Sequence, residues 1–180
     1  MLYFEERIFT KKAGNIRDYS QKGENTRDGS MKILAIDLGD VRTGVACSDI
    51  TETLASPVGV IHEKNETRRL DKIMEIIQQE GAEIVVVGYP KNMDGTIGQR
   101  AEISEKFKEQ LEAALTERSL TIPVVLWDER STTVSATNYL NITNTRGEKR
   151  KNVVDAVAAT IILENYLLWR ENNPDKVRKD

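Results

Sequence analysis

Three acidic residues stand in stretches of the sequence that are otherwise apolar. Asp37 directly follows residues 33–36, Glu129 directly follows residues 124–128, and Asp155 lies inside the apolar run 153–159. A carboxylate among apolar side chains costs several kcal/mol unless a partner compensates its charge. Asp37 and Glu129 each follow a predicted strand, where open α/β sheets bind their ligands. The three positions therefore predict a site that gathers carboxylates.

Gathered carboxylates need a cation or a proton, because two of them about 4 Å apart repel by about 4 kcal/mol at an effective dielectric of 20. The chain has one histidine, His62, and one cysteine, Cys47, so the predicted ligands are oxygens and the predicted ions are Mg²⁺ or Mn²⁺. Two such ions can activate water and stabilise the leaving oxygen of a phosphodiester. Structural ion pairs with Arg42 and Arg130 are the alternative for each acid taken singly.

The elements that must position these acids follow from hydrophobic periodicity. Strands are predicted at 32–37, 43–48, 57–62, 83–88 and 122–127, and the first two form a hairpin. Helices are predicted from Asn65 to about Glu80 with Gly81 as its stop, around residues 103–115, at 131–140 and at 152–169. The predicted fold class is α/β: a mixed five-stranded sheet, antiparallel in its first three strands and continued by βα units, with helices on both faces.

Two further features favour a phosphate-bearing substrate. Between Asp37 and Gly44, Gly39 permits a tight turn and a close backbone approach, and Arg42 could bind a phosphate with its guanidinium fork. The loop predicted at 141–151 concentrates positive charge against a single acid, Glu148, and could bind a nucleic-acid backbone. Its basic residues are Arg146, Lys149, Arg150 and Lys151. An ordinary hairpin and a solvated loop are the alternatives.

Composition limits the class of protein. The 180 residues, with 26 basic and 29 acidic side chains and a net charge of −3, argue against wholesale electrostatic binding of nucleic acid or membrane. We expect a polar, disordered extension at 1–30, one domain at 31–170 and a charged tail at 171–180. No apolar run is long enough to span a membrane, and a reducing cytoplasm is the expected location. Cys47 and Trp127 are expected in the core, and His62 at the surface.

Four segments together resemble the YqgF family of pre-16S rRNA nucleases, also described as Holliday junction resolvase-like proteins. They are residues 37–46, 87–95, 126–133 and 154–159, and the resemblance spans nearly all of the chain from Met31 to about Trp169. The resemblance implies an RNase H-like fold and a metal-dependent nuclease whose catalytic and metal-binding acids are Asp37, Glu129 and Asp155. It also implies trimming of the 5′ end of precursor 16S rRNA, with substrate-positioning groups at Arg42, Asn92, Thr132 and Thr133.

Other functions remain open from the sequence. A Holliday junction resolvase would use the same chemistry on branched DNA and would need a dimer to cut two strands symmetrically, so monomer and homodimer are both possible. A non-catalytic RNA-binding or ribosome-assembly module would keep the fold without cleaving. An actin-like phosphotransferase would need two such domains around a nucleotide, whereas residues 31–180 supply one.

Overall fold

The computed structural model of the chain describes residues 31–92, 94–128 and 148–174, with the backbone alone described for 148–155. Within these described residues, five strands and three helices form an α/β domain. The strands are β1 (Ile33–Leu38), β2 (Arg42–Ser48), β3 (Ala55–His62), β4 (Ile84–Tyr89) and β5 (Val124–Asp128). The helices are α1 (Glu66–Glu80), α2 (Gln99–Glu117) and α3 (Glu148–Asn172). The expected extension at 1–30 and the expected helix at 131–140 lie outside the described residues.

The strands form one mixed sheet in the order β3-β2-β1-β4-β5. β1 pairs antiparallel with β2, and β2 pairs antiparallel with β3, whereas β1, β4 and β5 are mutually parallel. The predicted hairpin and the predicted mixed five-stranded sheet are confirmed. β1 and β4 lie in the middle of the sheet, which explains why their sequences are apolar on both faces.

Helices cover both faces of the sheet, as predicted. Side chains of α1 and α2, including Ile73 and Leu111, pack on the face that carries Leu34 and Ile36. On the opposite face, α3 packs against Ile33, Ala35, Ala46, Ile84 and Val86 with five buried residues: Ala159, Ile162, Leu163, Tyr166 and Leu167. Alternate residues of each strand therefore contact different helices, as the period of two in a β-strand requires.

The ends of α1 follow the predicted capping chemistry. The Asn65 side chain accepts a hydrogen bond from the Arg68 amide at 3.0 Å, and Gly81 adopts φ 67° at the C-terminal cap. This left-handed conformation favours glycine because a Cβ atom there is strained.

The last helix differs from the prediction at both ends. It begins at Glu148 rather than 152 and ends at Asn172 rather than 169. The residues that extend its start are Glu148, Lys149, Arg150 and Lys151, which are good helix formers, so this part of the predicted loop is helical. Within the described residues, no helix is both long and apolar enough to cross a membrane.

Candidate active site

The carboxyl ends of three parallel strands meet at one end of the sheet. β1 ends at Leu38, β4 at Tyr89 and β5 at Asp128, and the three strands are hydrogen-bonded neighbours. We call this the carboxyl end of the sheet. The β1–β2 turn and the β4–α2 loop both begin here, so segments far apart in the sequence become neighbours at the position where α/β sheets bind ligands.

Asp37 lies at this end, on the face of the sheet that α3 covers. It alternates in phase with Ile33 and Ala35, which pack against α3, and it is partly buried. Its partner across the antiparallel ladder is Gly44. Because glycine has no side chain, the position beside Asp37 on this face is left without one. β2 therefore places no side chain directly beside Asp37 on this face.

The direction of α3 brings position 155 to the same end. At the opposite end of the sheet, Arg170 pairs with Glu52 at 2.7 Å, and Glu52 also accepts from the amide of Met31 at 3.2 Å. From there α3 runs back over β1, since Ala159 and Leu163 are buried on the sheet. Fifteen helical residues cover about 22 Å and six strand residues about 20 Å, so the α-carbon of Asp155 lies near the level of Asp37. Its side chain is outside the described part.

Glu129 follows the last residue of β5 and lies outside the described residues. Its neighbours in β5 are described: Trp127 packs on the α3 face, in edge contact with Tyr166 and Trp169 at ring distances of 5.2 and 5.6 Å. The convergence of three carboxylates stays a prediction.

The β1–β2 turn is tightly built. A Cβ atom on Gly39 would lie 2.3 Å from the carbonyl oxygen of Arg42, so the close backbone approach expected at this glycine is present. Arg69 Nη1 donates to the Gly39 carbonyl at 3.1 Å, and Arg100 lies 3.6 Å from the Asp40 carboxylate. Arg42 opens β2 in phase with Gly44, so it shares the α3 face of the sheet with Asp37.

The β4–α2 loop holds Asn92 through hydrogen bonds within the loop itself. Its side-chain amide donates to Thr96 Oγ1 at 2.8 Å, and its backbone pairs with Thr96 and Gly95. A Cβ atom on Gly98 would lie 2.9 Å from Asn92 Oδ1, so glycine at the start of α2 leaves space for this side chain. The loop therefore presents Asn92 at the carboxyl end in a fixed conformation.

Several residues at this end were not singled out by the sequence. Lys91 Nζ lies 3.5 Å from Asp128 and 5.1 Å from the Tyr89 ring centre. The Tyr89 hydroxyl donates to Glu105, and this bond to a carboxylate raises the pKa of Tyr89. In the sequence, the feature that could have pointed to Lys91 is its position next to Asn92, within the segment 87–95 that resembles the YqgF family.

The remaining predicted positions divide into two groups. Thr132, Thr133 and Arg146 lie outside the described residues, whereas Lys149, Arg150 and Lys151 lie in the first turns of α3 with undescribed side chains. Cys47 is buried in the core as expected, and burial raises the pKa of its thiol to about 11, so it stays protonated near neutral pH. Among the described side chains no group of three His, Cys, Asp or Glu residues could hold a metal ion.

Comparison with known proteins identifies the family. The family model described as RuvX, Holliday junction resolvase, matches residues 31–168. The chain belongs to the RuvX family. This assignment confirms the resemblance seen in the sequence, and it identifies the protein as a nuclease, a hydrolase of phosphodiester bonds. Residues 1–30 lie outside the match.

Curated relatives of this RuvX protein cover almost its whole domain. One from Caldanaerobacter subterraneus subsp. tengcongensis is 43% identical over 145 residues, which are 79% of this chain and 100% of the relative. Another from Lachnospira eligens is 44% identical over 140 residues, covering 76% of this chain and 96% of the relative. Both carry the provisional name pre-16S rRNA nuclease.

Solved structures similar to this RuvX protein establish its fold. RuvC of Thermus thermophilus, solved with a Holliday junction substrate, has a TM-score of 0.53 at 13% identity, covering 79% of this chain and 96% of RuvC. The Holliday junction resolvase of yeast mitochondria has a TM-score of 0.50 at 11% identity, covering 83% and 84%. The fold is RNase H-like, as the resemblance implied.

Proposed function

We propose that this RuvX nuclease is metal-dependent and matures the 5′ end of precursor 16S rRNA in the cytoplasm. Its proposed catalytic acids are Asp37, Glu129 and Asp155. The observation that carries the proposal is the position of Asp37: partly buried at the carboxyl end of β1, facing the helix that contains Asp155, with Gly44 opposite. Each of these features supports a carboxylate placed to bind a ligand.

The chemistry of the donor set fits a divalent cation. Carboxylate oxygens are the ligands that Mg²⁺ and Mn²⁺ prefer, and a cation would offset the repulsion among three acids. His62, the one histidine, is exposed at the end of β3, and the Cys47 thiol is protonated in the core. When bound, two divalent ions supply Lewis acidity at the scissile phosphate. Asp37, Glu129 and Asp155 would hold them.

The remaining proposed roles belong to the protein's own side chains. Glu129 accepts the proton of the attacking water or, alternatively, acts only as a ligand. Arg42 binds a phosphate oxygen next to the cut, because it shares the α3 face with Asp37. Asn92 and Thr132 or Thr133 orient the sugar-phosphate backbone.

Positive charge around the site would bind the rest of the substrate. Four residues serve this function in our proposal: Arg146, Lys149, Arg150 and Lys151. With a net charge of −3 on the chain, affinity would depend on this local cluster and would fall as salt rises.

RNA is the substrate we favour because relatives at 43–44% identity, covering nearly their full length, are named for pre-16S rRNA. The partner is then structured precursor rRNA, free or within a ribosomal particle. Branched DNA is the second candidate, since the matching family model is described by Holliday junction resolution. That reaction would require a homodimer for paired cuts.

The deciding experiment offers both substrates to the full chain. We expect cleavage of a model precursor carrying the 5′ end of 16S rRNA with Mn²⁺ or Mg²⁺, and none with chelator. A synthetic four-way DNA junction is incubated in parallel, and the size of the protein is measured by light scattering. Symmetric junction cleavage by a dimer, with intact RNA, would replace the rRNA proposal by the second candidate. Cleavage that persists in chelator would reject metal dependence.

A further inference from the structure

A buried arginine on α1 contacts the turn that follows Asp37. Arg69 is 6% exposed, and its Nη1 donates to the Gly39 carbonyl at 3.1 Å. It lies four residues before Ile73 and seven before Ile76, so it occupies the apolar face of α1. Arg69 thus carries a permanent positive charge at a position where the apolar pattern of α1 predicts an aliphatic side chain.

Burial of this guanidinium is poorly compensated. Within the described part of the chain, no carboxylate lies within ion-pair distance of Arg69, and its Nε has no hydrogen-bond partner. The exposed Glu66, three residues earlier on α1, interacts with it at longer range, since Arg69 contributes to lowering the pKa of Glu66. An exposed carboxylate that does not contact a buried charge compensates it only weakly. The bond to Gly39 is therefore the described contact that most needs an arginine here.

The Gly39 carbonyl is a sensitive point of the site. Gly39 is two residues after Asp37 and three before Arg42, and its α-carbon is so close to the Arg42 carbonyl that a Cβ atom would not fit. Among the described residues, two other contacts hold this turn: the Glu63 amide donates to the Val41 carbonyl at 3.1 Å, and Arg100 approaches Asp40 at 3.6 Å. The second is a surface pair with side chains 63% and 74% exposed, so solvent screens it.

We propose that Arg69 is a positioning residue that fixes the β1–β2 turn, so that Asp37 and Arg42 keep the relative placement needed for cleavage. It acts through the Gly39 carbonyl and does not touch the substrate. The inference rests on the proposed function, because it takes Asp37 as a catalytic residue. Displacing reacting groups by as little as 1 Å can cost about 100-fold in rate, so one lost bond can have a large effect.

The test compares Arg69 with a matched buried arginine. Arg170 is 8% exposed and ends the buried face of α3, but it pairs with Glu52 at the opposite end of the sheet. We would measure kcat, KM and Tm for Arg69→Met, Arg69→Lys, Arg170→Met and Arg170→Lys in the full chain, on the model precursor RNA with Mn²⁺. All assays are run well below the lowest Tm.

We expect both Arg69 variants to lose about tenfold or more in kcat, with KM changed by less than about threefold. Arg170 variants should lose Tm without a change in kcat per folded molecule. Amide NMR shifts should move at residues 37–44 in the Arg69 variants and near Glu52 in the Arg170 variants. If Arg69→Met does not fold, Arg69→Lys decides, since it keeps the charge but not the fork.

Two results would overturn the inference. Unchanged kcat in the folded Arg69 variants, with Asp37→Asn inactive in the same assay, rejects the positioning role and leaves the proposed function intact. An equal loss of kcat in the Arg69 and Arg170 variants assigns the effect to general stability. Cleavage by Asp37→Asn would instead reject the proposed function, while the amide shifts would still report whether Arg69 holds the turn.

Discussion

The two ends of the sheet each contain a buried arginine at the end of an apolar helix face, and the two are satisfied differently. Arg170 donates twice to the Glu52 carboxylate, at 2.7 and 3.2 Å, and lies 5.8 Å from the Tyr166 ring centre. Arg69 donates to one backbone carbonyl. A carboxylate neutralises the first charge, and in the described part of the chain none pairs with the second.

The difference indicates which end is built for stability. At the Arg170 end, Glu52 accepts φ 55°, a left-handed conformation uncommon for residues other than glycine, while its carboxylate binds both Arg170 and the Met31 amide. The hydrogen bonds that Arg170 and the Met31 amide donate to Glu52 offset that strain. At the carboxyl end Arg69 instead donates to the turn that follows Asp37, an arrangement expected where the placement of charge matters more than local stability.

Removing the carboxylate of Asp37 tests the carboxyl end most directly and carries the largest expected effect. Asp37→Asn should reduce cleavage by about a hundred- to a thousandfold, the scale of losing a group that stabilises transition-state charge, with Tm nearly unchanged. Glu129→Gln and Asp155→Asn should behave alike. The measurement is single-turnover cleavage of the model RNA with Mn²⁺.

The matched control is Asp71→Asn, the same chemical change on α1. Asp71 lies 3.6 Å from Arg118 in an exposed pair, so its loss should leave both rate and Tm nearly unaltered. Full cleavage activity in any two of the variants Asp37→Asn, Glu129→Gln and Asp155→Asn would show that these three acids do not form the catalytic site.

Breaking the Arg170–Glu52 ion pair at the other end of the sheet should lower stability and leave the cleavage rate unchanged. Arg170→Met leaves Glu52 without its counter-charge, and we expect a loss of about 3 kcal/mol in the free energy of unfolding, as for other largely buried pairs. Cleavage per folded molecule should not change. Urea denaturation measures the loss, and the double variant Glu52→Gln with Arg170→Met should recover part of it. A fall in kcat would mean that the two ends are coupled.

A smaller effect is expected at Gly39. In Gly39→Ala the new methyl would meet the Arg42 carbonyl at 2.3 Å, and the backbone must shift, at a cost of about 1–3 kcal/mol. Because the turn links Asp37 to Arg42, cleavage should fall with stability. In Gly98→Ala the methyl meets the Asn92 side chain, which can move more easily than backbone. A smaller Tm loss for Gly39→Ala than for Gly98→Ala would contradict this ranking.

Much of the fold could be predicted from the sequence because its signals are local. Alternating and continuous apolar runs indicated five strands, Asn65 and Gly81 marked the ends of α1, and parallel order followed from the βα units. The start of α3 was wrong because a cluster of like charges is compatible with both a loop and a helix terminus. The helix-forming residue types at 148–151 were the signal in favour of a helix, and the charge pattern was given more weight.

The site was less accessible to sequence reasoning. Asp37 could be found because a charge ends an apolar strand, and the turn at Gly39 follows from its residue type. Arg69 left a weaker signal: the spacing back from Ile73 and Ile76 places it on the buried face, but its partner is a backbone carbonyl 30 residues away. Backbone partners have no sequence signature, and neither does the distance between Lys91 and Asp128.

The smallest expected effect concerns the β2–β3 turn at the stable end. The Asp49 carboxylate accepts from the amides of Leu54 and Thr53 at 2.9 and 2.8 Å and from the Thr51 hydroxyl, and these bonds, that of Leu54 foremost, lower the pKa of Asp49 to about 2. The folded pKa lies below the unfolded value of about 3.9, so this stabilisation is complete above pH 4 and is lost as the pH falls toward 2.

Asp49→Asn keeps an acceptor oxygen but removes the charge, so it should lower Tm slightly at pH 7 and converge with the parent protein only below about pH 2. Thr51→Val removes one hydrogen-bond donor to Asp49 and should therefore raise the pKa of Asp49. The pH range over which the charge of Asp49 stabilises the protein should become narrower. Carboxyl NMR titration measures that pKa directly. A value near 4 in the parent protein, or a Tm difference that is independent of pH, would show that the stable end owes nothing to this charge and that Glu52 and Arg170 alone maintain it.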